Sequence, residues 1–401
     1  MPLCVAVLAV LLCGCSQGSS APGRAGKASP AKFPTIPATT STTTTTNPSG
    51  VATTVPVPPP TVPGWTQAVT TLPPGGGFSS VSCLSDTFCI ATGGGAGEQG
   101  GNQTDGSGVT VSWDGASWSA PSVYLPAPAS GPVTAPLMPA IDCTSGPLCM
   151  IVDGSGHVST GDGTNWSSAT PLSAGPPLAA NPADPGAGHP GSRSAAVSCP
   201  TPTLCAAVDN TGHAYIYRNR SWLATQSLGR PAAAGSPVSS LFQAGRVGVS
   251  CPTADTCVAV VGTSVLDWNG SSWSLEPAPW APALDTTSSA TAVACATPTL
   301  CAIVSGTGLS YRNGGSAWSP VETIDPHGGL DAISCPTTSM CVAADSGGSV
   351  TTWDGKTWSA PQQVLPQASE YPGTGTSISC PSADFCMVLN ADGDFATYTG
   401  D

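Results

Sequence analysis

Cysteine is the residue type whose spacing predicts the clearest chemistry in this chain. Fourteen of the 17 cysteines form seven pairs with one spacing, Cys-x5-Cys. Zinc sites favour shorter spacings and ligands that converge, whereas these pairs are spread along the chain. The pattern therefore predicts seven disulfides, which form and persist in oxidising compartments. The pairs are Cys83 with Cys89, Cys143 with Cys149, Cys199 with Cys205, Cys251 with Cys257, Cys295 with Cys301, Cys335 with Cys341, and Cys380 with Cys386.

A second group of candidate residues occupies one position of the repeat, four residues after the second cysteine. Four repeats carry an acid or its amide there, namely Asp153, Asp209, Asp345 and Asn390. The other three carry Gly93, Val261 and Ser305. We predict that the polar side chains cap a turn. The alternative is a shallow ring of acidic groups that recruits a cation on a ligand-binding face.

Two further patterns have the composition of a metal site. His157 and His213 follow Asp153 and Asp209 by four residues, so two imidazoles from neighbouring repeats could share a metal ion. Both histidines begin outer strands, however, where neighbouring repeats splay apart. The segment Asn390–Asp394 is rich in oxygen ligands but lacks the distal glutamate of a calcium loop. We therefore predict no metal and no cofactor.

The elements that must position these residues are four short β-segments in each repeat. The apolar residue two positions before the first cysteine shares a strand face with it, as Val197 does with Cys199. Each disulfide should bridge the innermost two strands, because directly opposed residues of an antiparallel pair lie within bonding reach. Asp-Gly or Asn-Gly, as at Asp114-Gly115, predicts a two-residue hairpin turn between the third and fourth segments. The fourth segment is predicted to begin at the tryptophan that follows, such as Trp118.

Four antiparallel strands in each of seven repeats predict an all-β fold, a seven-bladed β-propeller. The seventh repeat stops near Tyr398, before its fourth strand. We expect the missing strand at the other end of the folded region, where Gly64 to Val69 match the fourth-strand pattern. A first segment that completes the last blade closes a ring. An open solenoid, the competing architecture, needs polar capping repeats at both ends.

Two motifs resemble known families. Ser112 to Trp118 and Thr352 to Trp358 resemble the Asp-box of bacterial neuraminidase-type repeats, shortened by one residue. The pattern Ser-Cys-Pro-x4-Cys-x-Ala-Val-Asp-x-x-Gly is similar to repeats of exported β-propeller lipoproteins in high-GC Gram-positive bacteria. The resemblance covers residues 64–401 and implies the propeller fold. In such repeats the Asp-box is a structural turn on the outside of the blade, so it implies no active site.

The amino end predicts export and anchoring. An apolar run from Leu3 to Leu12 is too short to span a bilayer and ends in Leu-Cys-Gly-Cys, which resembles a bacterial lipobox. The resemblance implies a lipoprotein signal peptide over 1–15 and a lipid on Cys15. Residues 16–63, rich in Thr and Pro, are expected to form a disordered stalk, and 64–401 the propeller. We expect the protein at the extracytoplasmic face of the cell membrane; secretion after cleavage of a plain signal peptide is the alternative.

The excess of acidic residues and the absence of catalytic motifs reduce the number of function classes to consider. All 23 acidic residues lie after position 63, against seven basic ones, which argues against nucleic acid and equally disfavours docking on anionic lipid headgroups. The sequence contains no nucleophile elbow, His-Glu-x-x-His motif or phosphate loop. We therefore predict a monomeric, non-catalytic module that binds a protein or glycan through its loop face. That face should carry the insertions at 119–137, 167–194 and 223–246. A carbohydrate-active hydrolase or lyase with paired carboxylates at the channel mouth is the first alternative, and a structural role in the envelope is the second.

Overall fold

The computed structural model describes residues 42–46, 52–56, 64–66, 69–70, 77–96, 104–126, 138–146, 148–154, 156–172, 195–209, 213–223, 226–227, 247–261, 264–276, 290–306, 308–314, 318, 322–327, 329–367 and 375–400. The chain divides into two compact units, Met1–Pro58 and Pro59–Asp401. Within the described ranges, no helix has the length and apolar character needed to cross a lipid bilayer.

The amino-terminal unit contains a two-stranded antiparallel sheet. β1 (Thr42–Thr46) pairs with β2 (Ala52–Pro56), with Thr44 opposite Thr54. The expectation of a disordered stalk over 16–63 stays a prediction; within that segment the structure describes these two strands. Threonine and valine are β-branched and favour extended backbone, even in a segment with too little apolar surface to build a core.

The described strands of the second unit form seven antiparallel sheets, here called blades 1 to 7. β3 (Val69–Thr70) comes first in the chain and belongs to blade 7. Blade 1 contains β4 (Gly77–Ser85), β5 (Phe88–Ala96), β6 (Thr104–Trp113) and β7 (Ser122–Leu125). Blade 2 contains β8 (Ala140–Thr144), β9 (Leu148–Val152), β10 (His157–Gly161) and β11 (Thr170–Pro171). Blade 3 contains β12 (Ala195–Thr201), β13 (Leu204–Asp209), β14 (His213–Arg218), β15 (Ser221–Trp222) and β16 (Gln226–Ser227).

The remaining blades repeat the same order of strands. Blade 4 contains β17 (Val247–Thr253), β18 (Thr256–Val261), β19 (Ser264–Trp268) and β20 (Trp273–Glu276). Blade 5 contains β21 (Ala290–Thr297), β22 (Leu300–Ser305), β23 (Leu309–Gly314) and β24 (Glu322–Thr323). Blade 6 contains β25 (Leu330–Thr337), β26 (Met340–Asp345), β27 (Ser349–Trp353) and β28 (Gln362–Gln363). Blade 7 contains β29 (Thr376–Ser382), β30 (Phe385–Asn390) and β31 (Asp394–Thr399), followed in space by β3.

The first strands of the blades lie innermost and contact one another in turn. β4 contacts β8, β8 contacts β12, and the series continues through β17, β21 and β25 to β29, which contacts β4 again. Sheets arranged in this way around a central axis form a β-propeller. The predicted all-β propeller with four-stranded antiparallel blades is confirmed, with β16 as an additional short strand beside β14 in blade 3.

The last sheet is completed by the segment that precedes blade 1. Val69 of β3 pairs with Phe395 of β31, and Trp65 forms a bridge with Tyr398. The Thr66 N–H donates to the Thr397 carbonyl at 2.8 Å. Trp65 is buried, and its ring centroid lies 5.6 Å from that of Tyr398. Two chain segments that are more than 300 residues apart in sequence therefore meet in one blade.

The core lies between neighbouring blades. Between blades 3 and 4, for example, Val208 and Ile216 pack in one cluster with Val249, Leu266 and Trp268. The second strands are buried on both faces, as their continuous apolar runs predicted. Each blade therefore depends on its neighbour to bury one face.

The seven predicted cysteine pairs form seven disulfides, each within one blade. Each bond joins the innermost strand to the start of the second strand, with Cα–Cα separations of 3.9 to 4.1 Å. The bonds are Cys83 to Cys89, Cys143 to Cys149, Cys199 to Cys205, Cys251 to Cys257, Cys295 to Cys301, Cys335 to Cys341, and Cys380 to Cys386.

The direct opposition expected of the two cysteines is seen as paired residues in three blades. Cys83 lies opposite Cys89, Cys143 opposite Cys149, and Cys295 opposite Cys301. In the other four blades the register of the preceding residues continues to the cysteine pair, as Ser198 opposite Ala206 does to Cys199 and Cys205, and the Cα–Cα separations are the same, 4.0 to 4.1 Å. A local irregularity follows the cysteine pair in six of the seven blades, in the turn between the first two strands.

The turns between third and fourth strands differ from the prediction. Trp113 bridges Trp118, so the turn at Asp114 has four residues rather than two, and only Gly115 has a positive φ, +98°. The two-residue form occurs instead at Asn219-Arg220, where both φ angles are positive, 52° and 67°. The predicted start of the fourth strand is also wrong in blade 1, since β7 begins four residues after Trp118. The tryptophan there makes only an isolated bridge.

Candidate functional site

The propeller has two chemically different ends. At one, which we call the disulfide end, the turns between first and second strands meet those between third and fourth strands, as where Trp113 Nε1 donates to the Asp86 carbonyl at 3.0 Å. At the other, which we call the connection end, the turns between second and third strands meet the connections between blades. The Leu172 N–H, for example, donates to the Gly156 carbonyl at 2.8 Å.

The four predicted turn residues lie at the connection end, and all are buried. In each turn one side-chain oxygen accepts the backbone N–H four residues later. The donors are His157 N to Asp153 at 2.9 Å, His213 N to Asp209 at 3.1 Å, Ser349 N to Asp345 at 2.7 Å and Asp394 N to Asn390 at 3.0 Å. These contacts are those of side chains that cap a turn.

The two histidines interact with the aspartates of their own turns. His157 Nδ1 lies 3.2 Å from Asp153 Oδ2, and His213 Nδ1 lies 3.5 Å from Asp209 Oδ2. The hydrogen bond with Asp153 raises the pKa of His157 above its ordinary value. Among the described residues, no group of three or more His, Cys, Asp or Glu side chains is arranged to hold a metal ion. Each histidine therefore has its close acidic neighbour within its own blade.

Tyr215 is a partner of Asp209 that the sequence analysis missed. Its hydroxyl donates to Asp209 Oδ2 at 2.9 Å, and its side chain is among the largest that are fully buried. The alternation of strand faces places Tyr215 on the face of His213, which is the signal that could have identified it. The Asp209 carboxylate thus organises both a backbone turn and a buried phenol.

A carboxyl pair at the connection end was also missed. Asp325, in the connection after β24, lies beside Asp345 at the end of β26, and both are buried. Burial raises the pKa of Asp345 and the Asp325 carboxyl raises it further, while the Ser349 N–H opposes both effects. The His327 N–H donates to Asp325 Oδ1 at 2.8 Å, and the His327 ring is largely exposed. The connection carries no repeated motif, so spacing could not indicate that Asp325 meets Asp345.

The candidate calcium loop is closed by its own hydrogen bonds. Asn390 Nδ2 donates to Asp394 Oδ2 at 3.0 Å and to the Pro366 carbonyl at 3.2 Å. Both Asn390 and Asp394 are buried. Because an amide N–H group points at the carboxylate, the segment presents a donor where a calcium site requires an oxygen.

The innermost strands are joined by hydrogen bonds that run around the ring. The residue before the first cysteine of one blade accepts the N–H of the first cysteine of the next. Five hydroxyls do this, those of Ser82, Ser198, Ser250, Ser334 and Ser379, at 2.9 to 3.1 Å. Asp142 takes this role towards Cys199 at 2.6 Å, and Ala294 supplies no side-chain acceptor at the junction of blades 5 and 6. These junction positions hold serine, alanine and one aspartate, so they bring no two carboxyl groups together.

The Asp-box-like turns lie at the disulfide end and are exposed. Asp114 Oδ1 accepts the N–H groups of Ala116 and Ser117 at 2.9 and 2.7 Å, and Asp354 accepts those of Lys356 and Thr357, both at 2.8 Å. These N–H groups lower the pKa of Asp114 and of Asp354. The carboxylates therefore hold the turn, as the resemblance implied.

Several predicted features lie outside the described residues. Cys15 and the lipobox are among them. So are 127–137, 173–194 and 228–246, which make up most of the three long insertions.

Comparison with known proteins identifies the fold. No protein-family model matches this chain, and no curated protein matches it. A solved structure described as "YCF48 bound to D1 peptide" superimposes with a TM-score of 0.54 at 14% identity, covering 86% of this chain and 98% of that one. "YCF48 from Cyanidioschyzon merolae" gives 0.52 at 18%, with 84% and 98% covered.

A WD40 propeller gives a similar result. The "WD40 beta propeller domain of Doa1" superimposes with a TM-score of 0.54 at 13% identity, covering 85% of this chain and 98% of that one. At these identities the similarity is one of fold. The chain is thus a β-propeller with the architecture of the YCF48 and WD40 structures.

Proposed function

We propose that this protein is an exported, seven-bladed propeller, anchored through a lipid on Cys15, that binds a protein partner at its connection end without catalysis. The observation that carries this proposal is how the polar side chains of that end are used. Asp153, Asp209 and Asn390 each accept a backbone N–H of their own turn, so they fix the shape of the surface. Rigid turns that carry loops suit recognition.

Further support comes from the scaffold and its relatives in fold. Seven disulfides are typical of chains that work in an oxidising compartment. One similar solved structure is described as bound to a peptide, which favours a peptide or protein over a glycan as ligand. The excess of acidic residues, 23 against ten basic ones, favours a neutral or basic partner surface.

Two matched lysine substitutions test which end binds. Ser346 is exposed at the connection end, and Ala116 is exposed at the disulfide end, where Lys356 occupies the equivalent position of blade 6. With a partner captured from the cell envelope, we expect Ser346→Lys to weaken binding by about tenfold or more and Ala116→Lys to leave it within about twofold. The reverse order of effects would contradict the proposal.

A second candidate function, a carbohydrate-active hydrolase or lyase, is favoured by the Asp325–Asp345 pair alone. Hydrolysis of envelope glycans by the wild-type chain, abolished by Asp345→Asn, would support this alternative. The same assay would then overturn the non-catalytic proposal.

A further inference from the structure

One of the side chains that accept a cysteine N–H between neighbouring blades is ionisable. At five junctions the acceptor of the cysteine N–H is a serine hydroxyl, which is neutral and both accepts and donates. Among the described strands, only the junction of blades 2 and 3 uses a carboxyl group, that of Asp142. Because serine performs this role at five equivalent positions, the packing of the strands does not require an acid there.

Asp142 connects three blades. Its Oδ2 accepts the Cys199 N–H of blade 3 at 2.6 Å, and its Oδ1 accepts the Ser82 hydroxyl of blade 1 at 3.2 Å. The same Ser82 oxygen accepts the N–H of Cys143, the residue that follows Asp142 in blade 2. The charge state of one side chain therefore acts on both junctions of blade 2.

No counterion faces this carboxyl group from the described strands that surround it. β4 and β5 of blade 1, β9 of blade 2 and β12 of blade 3 pack around β8. Their sequences contain no ionisable side chain except the disulfide-bonded cysteines. A carboxylate without a nearby cation loses hydration on burial without an opposite charge to offset the loss.

Burial is the largest influence on this group. It raises the pKa of Asp142 to about 6, while the Cys199 N–H, the Ser82 hydroxyl and the Cys143 N–H act in the opposite direction. The residue keeps some contact with solvent, so a proton can reach it without unfolding of the blade. In the unfolded chain an aspartate titrates near its ordinary value, roughly two units lower. The folded chain therefore binds the proton more tightly than the unfolded chain between these two values.

We propose that Asp142 makes the contact of blades 1, 2 and 3 a pH-sensitive junction, which is tightened when its carboxyl group takes up a proton from solvent. Protonation removes the uncompensated charge and adds an O–H donor, while an oxygen remains to accept the Cys199 N–H. The stability gained in this way is complete below the ordinary aspartate pKa. It is lost as the pH rises through about 6.

The test compares the full-length oxidised chain with Asp142→Ser, which installs the residue used at five other junctions. The unfolding equilibrium constant of each is measured in denaturant from pH 4.5 to 7.5. We expect the ratio of the two constants to change about 30-fold over this range, with the serine variant gaining relative stability as the pH rises. Ser250→Ala removes a neutral acceptor at an equivalent junction, and its effect should not depend on pH.

A second measurement follows the titration of the carboxyl group itself. In the native chain labelled at aspartate carboxyl carbons, one resonance should titrate near pH 6 and be absent from Asp142→Asn. A carboxyl group of Asp142 that titrates below pH 5, or a wild-type to serine ratio that stays constant across the pH range, would overturn the proposal.

Discussion

At the scale of single residues, one junction between neighbouring blades lacks a side-chain acceptor for the cysteine N–H. Ala294 occupies the position where five other blades have serine. We expect Ala294→Ser to accept the Cys335 N–H and to raise the free energy of unfolding by about 1 kcal/mol, the net value of a typical hydrogen bond. Ser250→Ala is the matched change in the opposite direction.

Denaturant unfolding at pH 7 measures both variants. Ser250→Ala should lower the free energy of unfolding by about 1 kcal/mol, because the Cys295 N–H loses its acceptor. If the serine at 294 destabilised the chain by a similar amount, the hydroxyl ring would not be a stabilising feature.

Single residues also mark the limit of what the sequence predicts. The capping role of Asp153 and Asn390 follows from their position in the repeat, because their partners are four residues away. Asp142 could not be recognised in this way, since its partners Ser82 and Cys199 lie 60 and 57 residues away, in other blades. Local spacing identifies contacts within a turn, whereas contacts between blades can be identified only when the arrangement of the blades is known.

At the scale of elements, the hairpin turn of blade 3 contains Asn219 and Arg220, the only non-glycine residues with positive φ among those that the structure describes. Arg220 has φ of 67°, a left-handed conformation that costs a non-glycine residue roughly 1 kcal/mol. Arg220→Gly creates the Asn-Gly pair preferred in two-residue turns, and we expect it to raise the thermal midpoint.

The matched control lies in blade 1. Gly115 has φ of +98°, and a Cβ there would lie 2.9 Å from Thr87 Cγ2. Gly115→Ala should therefore lower the thermal midpoint in the same calorimetric experiment. Equal effects of the two substitutions would show that backbone conformation does not decide the stability of these turns.

The same turns show why the predicted hairpin type was wrong for most blades. Asp-Gly favours a two-residue turn in an isolated hairpin. In blade 6, however, the Asp354 carboxylate accepts two N–H groups, which stabilises a four-residue loop between Trp353 and Trp358. The tryptophan pairs, with ring centroids 5.7 Å apart in blade 6, fix this spacing further. Side-chain contacts across the loop therefore outweigh the local preference.

At the scale of the whole molecule, the repeat itself made the fold predictable. Seven cysteine pairs define seven equivalent units, and the segment around Trp65 completes the last of them. That strand was predictable because Trp65 matches the tryptophan of the other units. The partner is not predictable in the same way, because recognition depends on the surface of the connections, which differ from blade to blade.

Both the closed ring and the binding surface proposed on it depend on the closure of blade 7 by the segment around Trp65. Thermal unfolding of Trp65→Ala measures it, with Leu223→Ala, a truncation at an exposed position, as control. Loss of the buried indole should cost about 3 kcal/mol or more, and loss of the exposed leucine less than about 1 kcal/mol. A Trp65→Ala chain as stable as wild type would contradict the closed ring and the binding surface proposed on it.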